Sequence, residues 1–483
     1  MSLLPRREWR VSPIQIEEWR KPALYTLLAV ALGIVGGLMV VALPNPLIGF
    51  ILIAGLLIGG LMLARPRFTL NVAIVIICLL PFGVIPVQVG LTFTLLEASL
   101  ILLFVAWLLR LGSPTWREDE KLVSSPFDWS IFLLIGLSFF ALLLGFQTLS
   151  TTDIHNYFKL ILAILAFFPV INLVRTQAAI DKLLRTIIVA GTLAGYIGVG
   201  LYLLSRDLQE QLLVSLGRIG YPTEGRILRF ILDDPASQPQ RATGTSVDPN
   251  SFGGMLVLII ALLLTQLFST KPLFRRGFLV LALLGPSAAL LLTYGRGAQL
   301  GAVGVAALIA TVKYRRIWLY ALPFITVGAA ILPSTFIWSN LMAGLAMEDQ
   351  STKLRLSEYQ NALDMVGRYP WFGIGFGTSP DPDLQEGVSM IYLTIAERMG
   401  LVGLVGFGLV MVLFFLYISA NFVRLTDEKQ KANLLGLTGG IVGALAVGLL
   451  DHYFFNIEFS HMAALFWLFM ALAVAQIKIG KPR

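Results

Sequence analysis

Long apolar runs, bounded by charged residues, proline or glycine, divide the chain from about residue 23 to its C-terminal end. A helix needs about 20 apolar residues to cross about 30 Å of hydrocarbon, so each run of that length predicts a transmembrane helix. The pattern yields about fourteen candidates, or 12–14 because some boundaries are weak. Their approximate limits are 23–43, 45–64, 69–87, 92–109, 127–146, 157–174, 183–204, 249–268, 277–294, 297–314, 317–335, 401–420, 434–455 and 462–479. These runs predict an all-α, polytopic integral membrane protein.

The positions of lysine and arginine orient these predicted helices. With the N-terminus in the cytoplasm, most of the 36 basic residues fall in short cytoplasmic loops, as the positive-inside bias requires. Both termini are then cytoplasmic. The remaining basic residues, nearly all arginine, face outward and concentrate in a long extracytoplasmic loop at 205–248, in a second one at 336–400 that carries short helices, and at one tight turn.

Composition agrees with a membrane location. Hydrophobic residues make up 57% of the chain and charged residues 13%, whereas a soluble domain has about 25% charged residues. This difference excludes a soluble globule. The net charge of +8 is explained largely by the cytoplasmic bias, so we expect no nucleic-acid partner. Cys78 is the single cysteine, which excludes an intrachain disulfide.

The predicted helices and the two long outward loops divide the chain into segments. An interfacial segment with tryptophan, arginine and glutamate comes first, a transmembrane bundle follows, and the two outward loops alternate with two further groups of helices. The predicted boundaries are 1–22 for the interfacial segment, 23–204 for the N-terminal bundle, 205–248 for the first loop, 249–335 for the central helices, 336–400 for the lid loop and 401–483 for the C-terminal helices.

Arginine rather than lysine in the outward loops suggests a phosphate ligand. The planar guanidinium grips phosphate through two parallel hydrogen bonds, whereas lysine acts as a point charge. Beside apolar helices, such a group predicts an anionic, lipid-linked ligand. Ordinary solvated loop charges, balanced by neighbouring acids, are the alternative for each of them. The outward basic residues are Lys159, Arg206, Arg218, Arg226, Arg229, Arg241, Arg296, Lys353, Arg355, Arg368 and Arg398.

The first motif runs from Arg241 through Asp248, Pro249 and Asn250 into the eighth predicted span. These last three residues are good N-cap and first-turn residues, and a helix N-terminus attracts anions. The motif therefore predicts that Arg241 lies at the outer mouth of a helix, where both groups favour phosphate. A simple helix start, with no ligand, is the alternative.

The second motif is the tight outward turn Thr-Tyr-Gly-Arg-Gly at residues 293–297. Gly295 and Gly297 allow a tight turn and a close approach of the backbone to a ligand. Arg296 is predicted to lie at the membrane boundary. An unpaired charge is costly there, which suggests that this arginine has a function. Snorkelling of the side chain to the interface is the alternative.

The third motif lies in the lid loop. Residues 355–366 have an amphipathic pattern that predicts a helix, and the Pro-x-x-Gly-x-Gly-x-Gly run at 370–377 ends it in a glycine-rich turn. Residues 392–403 follow as Tyr-Leu, Glu397-Arg398 and Gly-x-x-Gly. A long outward loop with its own helix is typical of a lid over a site at the membrane face.

In their order and spacing, these three motifs resemble the O-antigen ligase and O-antigen polymerase superfamily of bacterial membrane glycosyltransferases, over residues 185–455. The resemblance implies transfer of a glycan from a polyprenyl (undecaprenyl) diphosphate to an acceptor sugar, at the outer face of the bacterial cytoplasmic membrane. It implies that Arg241 and Arg296 hold the diphosphate and that the loop ending near residue 390 receives the acceptor. Membrane lipids, an acceptor glycan or glycolipid, a flippase and a chain-length regulator are the partners that this function would have.

One departure from the family pattern bears on the reaction. Ligase members have His-Asn where this chain has Ser389 and Met390, so the usual acceptor-activating base is missing and polymerase is favoured. The alternatives are a ligase with a lipid or protein acceptor, and a flippase or other transporter. A transporter should carry charges through the spans of both halves, whereas here arginine is concentrated in outward loops. A receptor is a third, weaker alternative.

Other residues are candidates for the acceptor base and for ligand binding. His155, His452, His461 and Glu397 all map to the outward side, and a structural role at the interface is the alternative for each. Asp381-Pro-Asp383 reads as an extended loop, so we expect no metal and no cofactor. The predicted catalytic residues are Arg241, Arg296, Glu397 and His452, and the predicted substrate-binding residues are Arg218, Arg226, Arg229, Asn250, Arg355, Ser389, Tyr392 and Arg398.

Overall fold

The structure is a computed structural model, and it describes residues 46–85, 92–112, 122–222, 240–319, 350–381 and 387–480, together with 342, 346 and 383. The predicted interfacial segment 1–22, the first predicted span and most of the eleventh lie outside the described residues, as do both termini. The chain divides into two compact units, residues 1–64 and residues 65–483. In the first unit one helix is described, α1 (Pro46–Ala64), in which every side chain is apolar.

The second unit is built from helices, and the predicted spans among the described residues overlap them, although the predicted span 157–174 covers two helices and the spans 69–87 and 434–455 run past the helix ends at Leu79 and Val447. The helices are α2 (Pro66–Leu79), α3 (Leu95–Leu111), α4 (Asp128–Leu144), α5 (Thr151–Leu165), α6 (Phe167–Leu173), α7 (Gln177–Leu203), α8 (Arg206–Ser215), α9 (Pro249–Phe268), α10 (Arg276–Leu292), α11 (Arg296–Val312), α12 (Gln350–Arg368), α13 (Ile391–Phe422), α14 (Glu428–Val447) and α15 (Ser460–Gly480). In the described part of the chain, β pairing is limited to an isolated bridge between Val84 and Thr94.

Helix lengths and exposed side chains fit a multi-pass membrane protein. Among the described residues, five helices are long and apolar enough to cross a membrane: Thr151–Leu173, Gln177–Leu203, Pro249–Phe268, Ile391–Phe422 and Ser460–Gly480. Large apolar side chains such as Leu203, Val303 and Val405 are more than half exposed. Exposed apolar surface of this extent suits lipid rather than water.

Helix α9 lies at the centre of the second unit. It packs against α7, α10, α11 and α14, and nearly all of its side chains, including Phe252 and Leu258, are buried. Gly443 of α14 lets the two helices approach closely, because a Cβ there would lie 2.6 Å from Val257 of α9. The ends of α9 and α14 therefore define two ends of the bundle, about 30 Å apart for a 20-residue helix.

One end of the bundle, which we call the lysine end, carries a chain of amide hydrogen bonds. Gln266 donates to Asn433 (2.9 Å), Asn433 to Gln476 (3.1 Å), Gln476 to Gln177 (2.8 Å) and Gln177 to Asp181 (2.8 Å). The chain joins α9, α14, α15 and α7. Three lysines complete this end through ion pairs, Lys429 with Asp181, Lys271 with Asp427 (3.1 Å) and Lys313 with Glu428 (2.7 Å). All three lysines come from loops or helix ends that the charge bias assigns to the cytoplasm.

Candidate functional site

Arg241 lies at the opposite end of the bundle, in the loop that leads into α9. Its Nε donates to the carbonyl of Thr293 (2.6 Å) and its Nη2 to Oδ1 of Asn250 (2.6 Å), so it joins the start of α9 to the end of α10. Asp248 is the N-cap of α9 and accepts from the backbone N–H of Asn250 and Ser251, as its position predicts. Burial lowers the pKa of Arg241, and the nearby carboxylates of Asp248 and Asp451 oppose that shift.

Backbone strain is concentrated at this point. Of the described residues other than glycine, those with positive φ are Val247 (69°) and Tyr294 (48°), and both lie beside the Arg241 contacts. A β-branched residue with positive φ is a genuine outlier, and such strain clusters at functional sites. Val247 directly precedes Asp248, in the loop that carries Arg241. Tyr294 directly follows Thr293, in the turn before α11.

The tight turn at residues 293–295 separates α10 from α11, and Arg296 is the first residue of α11. A Cβ on Gly295 would lie 3.3 Å from Oδ1 of Asn250 and 3.8 Å from Nη2 of Arg241. The turn therefore lies directly against the Arg241 and Asn250 side chains. From the half-buried Arg296, Nη2 donates to Oγ1 of Thr352 (3.2 Å), which brings α12 to the same place.

Helix α12 contributes a third arginine. Arg355 is three residues after Thr352 and therefore lies on the same face of the helix. Its Nη2 lies 3.5 Å from Oδ1 of Asp451, in the loop after α14. A Cβ on Gly297 would lie 3.3 Å from Oδ2 of the same carboxylate. Arg241, Asn250, Arg296, Arg355 and Asp451 thus form one group, which we call the arginine cluster.

Asp451 is the residue of this cluster that sequence reasoning missed. Its side chain is only 5% exposed. Burial raises the pKa of Asp451 to about 7; Asp248 and Glu358 raise it further, whereas Arg355 and Arg241 lower it. A buried carboxylate that titrates near neutrality beside arginines is typical of a functional site. Its position at the outer end of a predicted span, directly before the candidate His452, was the available signal.

The two halves of the third motif dock against each other. The α13 helix is broken at Gly400 (φ 68°), where a Cβ would lie 2.2 Å from the carbonyl oxygen of Trp371. The glycine-rich turn lies along this break: Ile374 N–H donates to the carbonyl of Glu397 (2.9 Å) and Leu401 N–H to that of Pro370 (2.7 Å). The spacing of glycines in the motif therefore reflects a close backbone contact that positions α12 and α13.

Glu397 and Arg398 contact this turn and the loop that precedes α13. Glu397 is buried, and its Oε1 accepts from the N–H of Gly387 (3.1 Å) and lies 3.7 Å from Nε of Arg398. Arg398 donates from Nη1 to the carbonyl of Gly377 (2.5 Å). These contacts suit positioning of the loop. The catalytic role of Glu397 and the ligand role of Arg398 stay predictions.

Ser389 and Tyr392 lie beside the cluster rather than in it. The N–H of Ser389 donates to Glu358 (3.0 Å), one helical turn after Arg355, and its carbonyl accepts from Tyr359 (3.4 Å). Tyr392 donates through its hydroxyl to the carbonyl of Leu445 on α14 (2.9 Å). The segment predicted to receive the acceptor is thereby fixed against both α12 and α14.

The three histidines occupy different surroundings. His452 follows Asp451 directly and is half-buried, and its ring stacks on Tyr453 with centroids 4.9 Å apart. His461 is buried in α15, 3.4 Å from Oγ of Ser251. His155 on α5 lies 2.8 Å from Glu97 of α3, a pairing that sequence alone does not reveal. His452 is thus the direct neighbour in sequence of the cluster residue Asp451, and His461 contacts Ser251, the neighbour of Asn250.

Several predicted residues lie elsewhere. Arg218 is exposed in the 3-10 helix Leu216–Ile219 and, within the described residues, takes no part in the contacts of the cluster. Arg226 and Arg229 lie outside the described residues. At the end of α12, the exposed Arg368 binds both acids of the Asp-Pro-Asp sequence, Asp381 (3.0 Å) and Asp383 (2.8 Å), and these contacts raise the pKa of Arg368. In the part of the chain that the structure describes, no group of three or more His, Cys, Asp or Glu could hold a metal ion.

Comparison with known proteins supports the same superfamily as the sequence motifs. Residues 279–408 match the family model described as O-antigen ligase. The matched segment begins in α10 and ends in α13, so it contains Arg296, α12 and the glycine-rich turn, whereas Arg241 and Asp451 lie outside it. No curated protein matches the chain. The match confirms the resemblance to the O-antigen ligase and polymerase superfamily and, with the apolar helices, supports a multi-pass membrane protein with glycosyltransferase-type activity.

Proposed function

We propose that this protein is a membrane glycosyltransferase of the O-antigen polymerase or ligase type, with polymerase favoured. It transfers a glycan from a polyprenyl diphosphate to an acceptor sugar at the outer face of the bacterial cytoplasmic membrane. One observation carries the proposal: Arg241, Arg296 and Arg355 come from three separate segments and lie at the same end of the bundle, where they contact Asn250, Thr352 and Asp451, respectively. Three guanidinium groups at a membrane boundary suit a diphosphate.

In the proposed reaction, the oxygen of the acceptor hydroxyl attacks the anomeric carbon of the donor glycan. The bond between that carbon and the diphosphate oxygen breaks, and the diphosphate leaves with the bonding electron pair. Arg241 and Arg296 stabilise the negative charge that develops on the leaving group, because their donors are already oriented by hydrogen bonds before the ligand arrives. Arg355, on α12, would add a third donor from the lid side.

The proton of the acceptor hydroxyl needs a destination, and we propose Asp451. Its carboxylate lies between the lid helix and the turn before α11, and its pKa of about 7 suits a base that works near neutral pH. The residue would supply what Ser389 lacks where ligase members have histidine. His452 and Glu397 remain the other predicted bases, and His452 is the nearer in sequence and position to the cluster.

Polymerase and ligase differ in the acceptor, so the deciding experiment supplies the donor alone and then the donor with other acceptors. Purified protein in nanodiscs would be incubated with a polyprenyl-diphosphate oligosaccharide. We expect longer lipid-linked glycans, which mean polymerase. Transfer only to an added glycolipid or protein would mean ligase. Movement of the lipid across liposomes without any new glycosidic bond would mean a transporter and would overturn the proposal.

The outward position of the arginine cluster is tested by labelling with a membrane-impermeant thiol reagent in intact cells. Cys78 is buried, so the parent protein provides a low background. Thr378→Cys, in the exposed loop after the glycine-rich turn, should react from outside. Lys271→Cys, at the lysine end, should react only after the membrane is permeabilised. Labelling of Lys271→Cys in intact cells would contradict the proposed orientation.

A further inference from the structure

Three successive turns of α12 contact three different parts of the site. Thr352 and Arg355 contact an arginine of the cluster and its buried acid, as described above. One turn further, Oε2 of Glu358 accepts from the backbone N–H of Ser389 (3.0 Å). Residues three apart lie on one face of a helix, about 4.5 Å from each other along its axis. The proposed diphosphate site, the proposed base and the segment before α13 are therefore contacted in a row by one helix face.

The segment before α13, residues 387–390, is the one proposed to receive the acceptor, and we call it the acceptor segment. Side chains of α13 fix its first two residues. Oε1 of Glu397 accepts from the N–H of Gly387 (3.1 Å), and Oγ1 of Thr394 donates to the carbonyl of Val388 (3.0 Å). The third residue is the one that α12 holds. The acceptor segment is thus fixed residue by residue from two helices.

Tyr359 reaches both the acceptor segment and the loop that carries the proposed base. Its hydroxyl lies 3.4 Å from the carbonyl oxygen of Ser389 and 3.4 Å from that of Leu449, two residues before Asp451. Directly after the acceptor segment, the N–H of Ile391 donates to a carbonyl at the end of α14 (2.9 Å). The acceptor segment and the base loop are therefore joined to each other as well as to α12.

The charge of Glu358 also reaches the base. Asp451 is faced by two acids and two arginines: Glu358 and Arg355 of α12, Asp248 at the N-cap of α9 and Arg241 in the loop before α9. Burial is the main cause that raises the pKa of Asp451, the two acids raise it further, and the two arginines lower it. The residue that holds the acceptor segment is thus within electrostatic reach of the base.

The two halves of α12 are held in different ways. In the C-terminal half, Ala362 and Met365 are buried, and the glycine-rich turn that follows contacts the backbone of α13. The N-terminal half meets the bundle through four half-buried polar side chains, those of Thr352, Arg355, Glu358 and Tyr359. Apolar packing therefore docks the helix, and the polar contacts set where its N-terminal half meets the site.

We propose that Glu358 and Tyr359 are positioning residues that hold the acceptor segment against the loop of Asp451, so that an acceptor hydroxyl bound there lies within reach of the base. This inference rests on the proposed function. Placement of a reactant against a catalytic group lowers the barrier, and misplacement by about 1 Å costs up to about 10²-fold in rate. Both residues act through protein groups rather than through the donor.

The test separates the hydrogen bond of Glu358 from its charge. Glu358→Met removes the acceptor for the N–H of Ser389 at similar side-chain length, whereas Glu358→Gln keeps an oxygen that accepts it. Asp364→Met is the matched control, because Asp364 is an exposed acid of the same helix. Transfer by the full-length protein in nanodiscs is measured with a lipid-linked donor, and kcat is separated from the KM for that donor.

We expect Glu358→Met to lower kcat by about tenfold and to leave the donor KM unchanged. Glu358→Gln should keep most of the rate and move the rise in activity to lower pH, because loss of a nearby negative charge lowers the pKa of Asp451. Tyr359→Phe should lower kcat by about threefold, the effect of one hydrogen bond. An equal loss in Glu358→Met and Glu358→Gln, or in Asp364→Met, would refute the positioning role and leave the proposed function intact.

Coupling to the base distinguishes positioning from a general structural role. The Asp451→Asn variant lacks the base, so Glu358→Met should have almost no further effect on its residual rate. Losses that multiply in the double variant would mean that Glu358 acts independently of Asp451, which contradicts the proposal.

Hydrogen exchange provides a readout without catalysis. The peptide that contains residues 387–391 should exchange faster in Glu358→Met than in the parent, and at the parent rate in Glu358→Gln and Asp364→Met. If this pattern is found although the parent transfers no glycan, the contact stands and the proposed function fails. Exchange in Glu358→Met at the parent rate would show that Glu358 does not hold the acceptor segment.

Discussion

The two ends of the helix bundle are polar in different ways. At the lysine end, Lys271, Lys313 and Lys429 each form an ion pair with an aspartate or glutamate. At the other end, the arginine cluster brings Arg241, Arg296 and Arg355 to the same place as two buried acids, Asp248 and Asp451, and burial raises the pKa of Asp451 to about 7. At the lysine end, ammonium and carboxylate groups form separate pairs, whereas at the other end several guanidinium groups lie close together.

We interpret the lysine ion pairs as contacts that hold helices together and the arginine cluster as a site for a ligand. At the lysine end, each ammonium group is a point charge with a carboxylate beside it. In the amide chain from Gln266 to Asp181, the side-chain amide of each residue donates a hydrogen bond to the side-chain oxygen of the next. A guanidinium presents five N–H donors in a planar fork, and the hydrogen bonds of Arg241 to Thr293 and Asn250 fix its orientation. The arginine end is therefore suited to a ligand and the lysine end to holding helices together.

The largest effect is expected from the arginines themselves. Arg241→Ala and Arg296→Ala should each lower the rate of glycan transfer by about 10²–10³-fold, because each removes oriented donors from the leaving diphosphate. Lysine should rescue poorly at position 241, since a point charge cannot reach Thr293 and Asn250 together. Transfer is measured with the purified protein and a lipid-linked donor. Lys271→Ala, at the other end, is the control and should retain the parent rate; normal transfer in either arginine variant would refute the cluster as the diphosphate site.

The second effect concerns Asp451. Asp451→Asn keeps the shape of the side chain but cannot accept the proton, so transfer should fall by about 10²-fold, the lower end of the contribution of a general base. In the parent, activity should rise as the pH increases through about 7, because the carboxylate must be ionised to act as a base. This rise should be absent from the residual activity of the variant. A purely structural role would leave the shape of the pH profile unchanged, and His452→Gln shows whether the neighbouring imidazole is the base instead.

Local patterns in the sequence were sufficient for much of this fold. Runs of apolar residues predicted the spans, Asp248 was recognisable as a helix cap, and the periodicity of residues 355–366 predicted α12, because these features depend on neighbours in the chain. The location of Arg241 and Arg296 at the end of the bundle opposite the lysines also follows from the order of the predicted spans. All of these are properties of one helix or of one loop between helices.

The remaining site residues depend on contacts that no local pattern encodes. Asp451 meets Arg355 across 96 positions of the chain, and Glu97 meets His155 only because α3 packs beside α5. Glu397 illustrates the converse: a carboxylate in a motif is a natural candidate for a base, yet this one accepts from the N–H of Gly387 and lies beside the guanidinium of Arg398. Which acid is buried among arginines is a property of the assembled bundle.

A smaller effect on catalysis, and a larger one on stability, is expected at the lysine end. Asn433→Leu breaks the amide chain: Nε2 of the buried Gln266 loses its acceptor, and Oε1 of the buried Gln476 loses one of its two donors and keeps Gln177. The free energy of unfolding should fall by about 2 kcal/mol or more. Thermal unfolding in detergent measures this loss, and the rate per folded molecule should stay close to that of the parent. A selective loss of transfer with unchanged stability would contradict the division between the two ends.

The two ends should also show opposite pH dependences of stability. The pKa of Asp451 is about 7 in the folded protein and about 3.8 when unfolded, so its contribution is present below pH 4 and is lost as the pH rises to about 7. Asp451→Asn should therefore gain stability relative to the parent over that interval. At the lysine end burial tends to raise the pKa of Asp427, but Lys271 and backbone donors leave it lowered, so its contribution is lost as the pH falls below about 4. Asp427→Asn should be less stable than the parent at neutral pH, and this difference should disappear in acid. Thermal melts of both variants from pH 3 to pH 8 would show whether the pH dependences of stability at the two ends have opposite signs.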